Sequence, residues 1–253
     1  MFAGVRVKNK GKDMKKTAII AVLVLFASSA MAQEAAAPKK WKDAAELSYV
    51  QTSGNSKTST LSAKNLYNYD WEKAALEVAA GGLGTSSKNT VTAEQYNAAE
   101  KVSWKLSGKN YTFEKIAWNK DRFAGIKDRY DLGLGLGRNL LDTADDKLSL
   151  EAGAGYIFED RLLSDNQTFG TYRGYAKYIR TLSATANASQ DLEYIGNMKH
   201  ANGYRMNAET AVVTSISTHF SLKASYLWKF LNSQAPGFKK TDTMTSMAII
   251  VNY

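Results

Sequence analysis

The sequence predicts an all-β protein: an antiparallel transmembrane β-barrel of about 12 strands that follows a cleaved signal peptide. Three observations predict it. A short basic and apolar leader opens the chain, polar and apolar residues alternate with a period of two across residues 41–253, and the segments joining the alternating runs are short and long in turn.

In the leader, Lys15 and Lys16 precede an apolar run from Ala18 to Ala30, and Ala30-Met31-Ala32 offers a small-x-small cleavage site before Gln33. The run is shorter than the roughly 20 residues that a spanning helix needs. Residues 1–32 are therefore read as a signal peptide. Met14 is the expected true start, because residues 1–13 lie upstream of the usual layout. Residues 33–40 read as a flexible lead-in and residues 41–253 as the barrel domain. The formal charge of +9 shrinks on this reading. Residues 1–32 hold six basic side chains and one acid, so only four net positive charges stay with the mature chain. That is a mixed surface, and no nucleic-acid partner is expected.

Alternation is clearest toward the C-terminus. Phe220, Leu222, Ala224, Tyr226, Trp228 and Phe230 share one face, while Ser221, Lys223, Ser225 and Lys229 share the other. Tyr204, Met206, Ala208 and Val212 oppose Arg205, Asn207 and Glu209. Leu148, Leu150, Ala152, Ala154, Tyr156 and Phe158 oppose Ser149, Glu151 and Glu159; Tyr130, Leu132, Leu134 and Leu136 oppose Arg129, Asp131 and three glycines. Residues 72–84 and 110–120 have ambiguous register, and 72–80 also admit a helical reading. Turn signals place strands near 43–52, 57–70, 72–84, 91–106, 110–121, 128–139, 146–158, 170–181, 184–195, 203–215, 219–231 and 242–252. With both termini on the periplasmic side, the inward connections are expected to be short, except Leu140–Asp145. The outward ones include Thr85–Thr90, Arg122–Lys127, Glu159–Phe169, Gly196–Asn202 and Asn232–Thr241, with Gly54-Asn55-Ser56 as a short exception. Tyr253, after Val251, Ile249 and Met247, puts an aromatic at the membrane edge of a lipid-facing last strand. It also resembles the C-terminal pattern read by the barrel assembly machinery.

Chemistry-bearing residues are sparse. The chain has no cysteine, which removes disulfides, thiolate metal sites, thiol nucleophiles and a lipoprotein anchor. Its two histidines, His200 and His219, fall in connections at opposite rims, too far apart to share a metal ion. Asp160 or Asp165 is the nearest candidate partner for His200. No cofactor, metal or catalytic residue is expected, and the chain is not expected to be an enzyme. Gly133, Gly135 and Gly137 lie on a strand, with no helix to present amides to a phosphate, so they signal close packing or curvature. The polar face supplies candidate lumen-lining charges of both signs: Arg129, Asp131, Glu151, Arg173, Lys177, Asp191, Glu193, Arg205 and Glu209. These either pair across strands and close the lumen, or stay solvated in a pore.

Three segments, in order, carry a family likeness: Ser53-Gly54-Asn55-Ser56 with Thr58, Leu61 and Ala63; Asp121-Arg122-Phe123-Ala124-Gly125-Ile126-Lys127-Asp128-Arg129; and Ala152-Gly153-Ala154-Gly155-Tyr156. Together they resemble the salt-induced outer membrane proteins, a bacterial family of unknown function, from about Trp41 to Tyr253. The resemblance implies an outer-membrane barrel and a role in osmotic adaptation, and brings no catalytic residues. Gly54, Asn55, Asp121, Arg122, Gly125 and Arg129 are the positions that carry it. The sequence thus leaves four readings open: a barrel serving envelope integrity or osmotic adaptation, a small-solute channel, a hydrolase sited at a rim, and a soluble periplasmic β-protein that binds a ligand. The partners expected on the first reading are outer-membrane lipid and, during biogenesis, the barrel assembly machinery.

Overall fold

The computed structural model describes residues 40–55, 57, 59–87, 90–234 and 237–253. The expected signal peptide, the start at Met14 and almost all of the lead-in lie outside the described residues. The rest is one closed antiparallel barrel of twelve strands. In order these are β1 Trp41–Ser53, β2 Ser59–Asp70, β3 Ala74–Ser87, β4 Thr90–Lys105, β5 Asn110–Asp121, β6 Ile126–Asp142, β7 Asp146–Arg161, β8 Gln167–Thr181, β9 Ala186–Asn197, β10 Tyr204–Ser215, β11 Phe220–Leu231 and β12 Thr241–Asn252. Each strand pairs with its neighbours in sequence, and β1 pairs with β12 from Ala44↔Asn252 to Ser53↔Thr243, which removes every sheet edge.

Residues 72–80 are turn and strand, not helix. The helix formers Glu72 to Glu77 are overridden because Ala75–Leu83 pair on both sides, with β2 and with β4. The connections also differ from expectation in length. Strands β6 and β7 run on to Asp142 and Arg161, so the turn expected at Leu140–Asp145 shrinks to residues 143–145 and the loop expected at Glu159–Phe169 to residues 162–166. Likewise β3 and β4 continue to Ser87 and from Thr90, through the loop expected at Thr85–Thr90. The cause is pairing: Glu159↔Gln167 and Ser87↔Thr90 extend the ladders past the last clear apolar residue. The rim where β1 begins and β12 ends, the terminal rim, has short turns of three or four residues, and the opposite, far rim carries the longest connection, residues 232–240.

Outward side chains are those a bilayer solvates. Leu61, Leu134, Leu136 and Met247 are 64–71% exposed in the isolated chain, a placement that water penalises and hydrocarbon does not. Aromatic groups flank this apolar wall at both rims. At the terminal rim, the Trp41 and Tyr67 rings lie 6.5 Å apart and Tyr69 and Trp71 4.6 Å apart. At the far rim, Tyr172, Tyr194, Tyr204, Phe230 and Trp228 form a continuous chain with ring centroids 5.7–5.9 Å apart. Such belts suit the headgroup level.

The β1–β12 seam is locked at the far rim. Asn55 donates its backbone N–H to Asp242 Oδ1 at 2.6 Å and its amide to Asp242 Oδ2 at 3.0 Å and to the Lys239 carbonyl at 2.9 Å, while its own Oδ1 accepts from the Lys239 N–H. Gly54 makes the approach possible. Its φ is 127°, and a Cβ there would lie 2.3 Å from Asp242 Oδ1. Replacing Gly54 by Ala is therefore expected to destabilise the barrel by about 2 kcal/mol. Gly108→Ala, in a turn with open space around it, is expected to be nearly neutral. The check is the denaturant dependence of the mobility difference between boiled and unboiled protein on a gel.

Candidate functional site: a lumen crossed by ion pairs

Strand parity fixes which charges face inward. Because Leu132, Leu134 and Leu136 are exposed on the outer wall, their neighbours Arg129 and Asp131 project into the barrel. The same parity turns inward Glu151 on β7, Arg173 and Lys177 on β8, Asp191 and Glu193 on β9, and Arg205 and Glu209 on β10. All nine candidate lumen residues line interior cavities.

What the lumen does with these charges follows from which strands they join. Twelve strands in sequential order place β5 diametrically opposite β11. Lys229 on β11 nevertheless donates to Asp121 on β5 at 3.2 Å, across the whole lumen. Lys115 on β5 pairs with Glu193 on β9 at 3.2 Å, Arg205 on β10 with Asp131 on β6, and Lys101 on β4 with Glu151 on β7. Each pair spans three strands or more.

The carboxylates act as forks. Glu151, whose side chain is 1% exposed, accepts from Lys101, from Arg173 at 2.7 Å and from the Tyr111 hydroxyl at 2.8 Å. Glu193 accepts from Lys115, from Arg173 Nε at 2.7 Å and from the Asn207 amide at 3.2 Å. Glu159 holds Arg129 and Arg161, and Lys223 bridges Glu46 and Glu209. A carboxylate withdrawn from water needs such multiple donors to offset its lost hydration. Lys177 and Asp191 face each other across the β8–β9 ladder on the terminal side of this network.

Aromatic rings close the space beside the charges. A Cβ on Gly135 would meet the Phe113 ring at 2.6 Å, and one on Gly137 the Tyr111 ring at 2.1 Å. The inward glycine stripe is thus the bed on which these rings lie. Above the rings sit cations: Lys101 Nζ is 5.1 Å from the Phe113 centroid, and the Arg173 guanidinium is 4.8 Å from that of Tyr175. Among the cavities that remain, one of about 410 Å³ lies toward the far rim and one of about 520 Å³ toward the terminal rim. Lys115, Glu193 and Asn207 line both, so this girdle is the waist between them.

The family-likeness residues gather at the far rim and at its inner wall. Gly54 and Asn55 hold the seam. Asp121 accepts from Lys229 and Gln95 and from the Ala124 N–H, capping a 3-10 turn at Arg122–Ala124 that ends on Gly125 with φ 72°. Arg122 pairs with Glu94 at 3.0 Å, and Arg129 is buried against Glu159. Tyr253 ends the chain at the terminal rim, its N–H bonded to the Asp43 carbonyl. His200 lies in the far-rim connection 198–203 and lines a small cavity that Arg129 and Glu159 also line, while His219 lies in a terminal-rim turn with Nδ1 3.0 Å from the Thr218 hydroxyl. Among the described residues no group of three His, Asp or Glu is placed to hold a metal ion.

Sequence reasoning placed Lys223 and Lys229 on the polar face without naming them among the lumen residues, and it did not single out Lys101, Lys115, Tyr111, Phe113 or Tyr175. For β5 the signal was masked, since Phe113 and Ala117 are apolar yet face inward while Glu114 faces outward. Lys115 and Trp118, three residues apart, sit on opposite faces: Lys115 reaches Glu193, and Trp118 Nε1 donates to Asp128 on the outer wall.

The fold is that of an outer-membrane-type barrel with a polar, ion-paired interior. The family described as "Protein of unknown function, DUF481" matches residues 45–253, and the chain belongs to it. Over 225 residues the chain is 28% identical to the uncharacterized protein YdiY of Escherichia coli strain K12, covering 87% of this chain and 86% of YdiY. Among solved structures it is similar to the NanC porin, with a TM-score of 0.56 at 9% identity over 81% of this chain and 98% of that one. It is also similar to the KdgM porin, with a TM-score of 0.47 at 10% identity over 83% of this chain and 98% of that one. At such identities the likeness to NanC is one of fold.

Breaking a buried fork leaves its cations unpaired. Glu151→Gln is expected to lower barrel stability by about 3 kcal/mol. Asp146→Asn, which disrupts the exposed pair with Arg180, is expected to cost under about 1 kcal/mol. Denaturant titration of detergent-folded protein checks both.

Proposed function

We propose that this protein is a non-enzymatic wall element of the bacterial outer membrane, a barrel whose lumen is shut at the waist in its resting state. The observation that carries this reading is the set of ion pairs spanning non-adjacent strands, above all Asp121–Lys229, Lys115–Glu193 and Lys101–Glu151. An open porin keeps its wall charges solvated around an aqueous channel, whereas here they neutralise one another across the lumen. The belts of aromatics and the exposed leucine wall support residence in a membrane, and the signal-like leader supports export. Envelope integrity under osmotic stress is the role that the family resemblance adds. A second reading, passage of small solutes, is favoured by the two cavities that meet at Lys115, Glu193 and Asn207; it requires that girdle to part.

Proteoliposomes test the choice. Purified protein that shifts in mobility on boiling is expected to leave small sugars and amino acids trapped at the rate of protein-free vesicles. Rapid efflux through correctly folded barrels would show an open channel and overturn the closed-waist reading. Fractionation of cells is expected to find the mature chain in the outer membrane and beginning at Gln33. Release with the periplasm, and folding without detergent, would return the soluble β-protein reading.

A further inference from the structure

Among the described residues, two carboxylates face the lipid near mid-depth. Lys101 reaches Glu151 and Lys115 reaches Glu193, both inside the lumen, so the adjacent Glu100 and Glu114 point outward. Their depth can be read from the pairing. The register row Tyr69, Leu76, Val102, Glu114, Leu134, Ala154, Tyr172 climbs from the terminal-rim aromatics to those of the far rim, and Glu114 is its middle member. Glu100 lies one row over, between Val78 and Ile116. The neighbours Ile116 and Leu134 are 50% and 66% exposed. Both acids therefore sit at hydrocarbon depth, flanked by apolar side chains, and neither takes part in an ion pair among the described residues. Carboxylates are expensive there, and they persist where a partner meets them.

The occupant must bring a cation to that depth on an otherwise apolar surface. Lipid cations stay at the headgroups, and acyl chains offer none. The chain's own wall does. Arg138, on β6, is outward, exposed and outside every ion pair among the described residues. It cannot serve its own Glu114, because its partner on β5 is Asn110, four residues away. With strands tilted by roughly 40°, Arg138 lies about 7 Å closer to the terminal rim than Glu114, within the combined reach of the two side chains.

We propose that the β5–β6 face is the contact surface between two copies of this chain in the membrane, with Arg138 of each paired to Glu114 of the other. A two-fold axis along the membrane normal, between β5 and β6, places these groups opposite one another and is satisfied twice by one patch. The ridge of Leu132, Leu134 and Leu136 then packs on the partner copy's β5, where Ile116 supplies apolar surface. Glu100, one strand farther from the axis, borders the same contact. The proposal rests on the barrel being membrane-embedded.

Charge reversal in the full-length protein tests it. The wild type is expected to be a dimer by light scattering in mild detergent. Glu114→Arg and Arg138→Glu should each give monomers that still shift in mobility on boiling, and combining the two reversals should restore the dimer. A cysteine at Leu134, in a chain that otherwise has none, is expected to cross-link to itself through a short bis-maleimide in isolated outer membranes. A wild-type monomer that shows the boiling shift overturns the proposal and leaves the barrel intact. So does a double reversal that stays monomeric, or a Leu134→Cys protein that cross-links to a different protein. A wild type without the boiling shift, or one recovered as soluble protein, overturns the membrane reading itself.

Discussion

The waist of this barrel depends on carboxylates that bind cations on strands they do not pair with as well as on their neighbours. Backbone pairing makes a ring, but a ring of twelve strands has an interior wider than one layer of side chains fills. Glu151 and Glu193, each shared among several donors, draw β4, β5, β7, β8, β9 and β10 onto one charged girdle. The lysine and arginine side chains are long enough to reach from one wall toward another, and the glycine bed beneath Phe113 and Tyr111 lets the aromatic filling lie close to the wall. In most soluble domains apolar side chains fill the centre. Here they cover the outside, and ion pairs hold the inside.

The same inversion explains how much of the molecule could be read from its sequence. Twelve strands were legible because a bilayer on one side and a polar lumen on the other impose strict alternation, as along Phe220–Phe230. Boundaries were less legible, since β6, β7 and β8 extend past the apolar run through polar residues such as Glu159 and Gln167 that only pairing holds. Five of the nine lumen candidates, Arg129, Asp131, Glu151, Arg205 and Glu209, came from strands with clean alternation. Lys101 and Lys115 were passed over because their strands break the pattern twice, with Phe113 and Ala117 turned in and Glu100 and Glu114 turned out. Those breaks coincide with the waist on one face and, on the other, with two acids that join no ion pair among the described residues. Which carboxylate meets which cation across the lumen is a three-dimensional fact, and no spacing along the chain encodes it.

The residues that carry the family likeness now have physical tasks. Gly54 and Asn55 close the seam, Asp121 caps a turn while receiving Lys229 from the opposite wall, Gly125 ends that turn, and Arg129 is buried on Glu159. They build one rim and brace it against the lumen.

The cross-lumen ion pairs are open to direct chemical test. A carbodiimide joins a lysine to a carboxylate only when the two are already in contact. Treating the folded protein in detergent and mapping the products by mass spectrometry should yield isopeptide links Lys229–Asp121, Lys115–Glu193 and Lys101–Glu151, all lost when the protein is boiled first. Links confined to residues on adjacent strands, with these three absent, would mean an open lumen lined by solvated charges and would contradict the account.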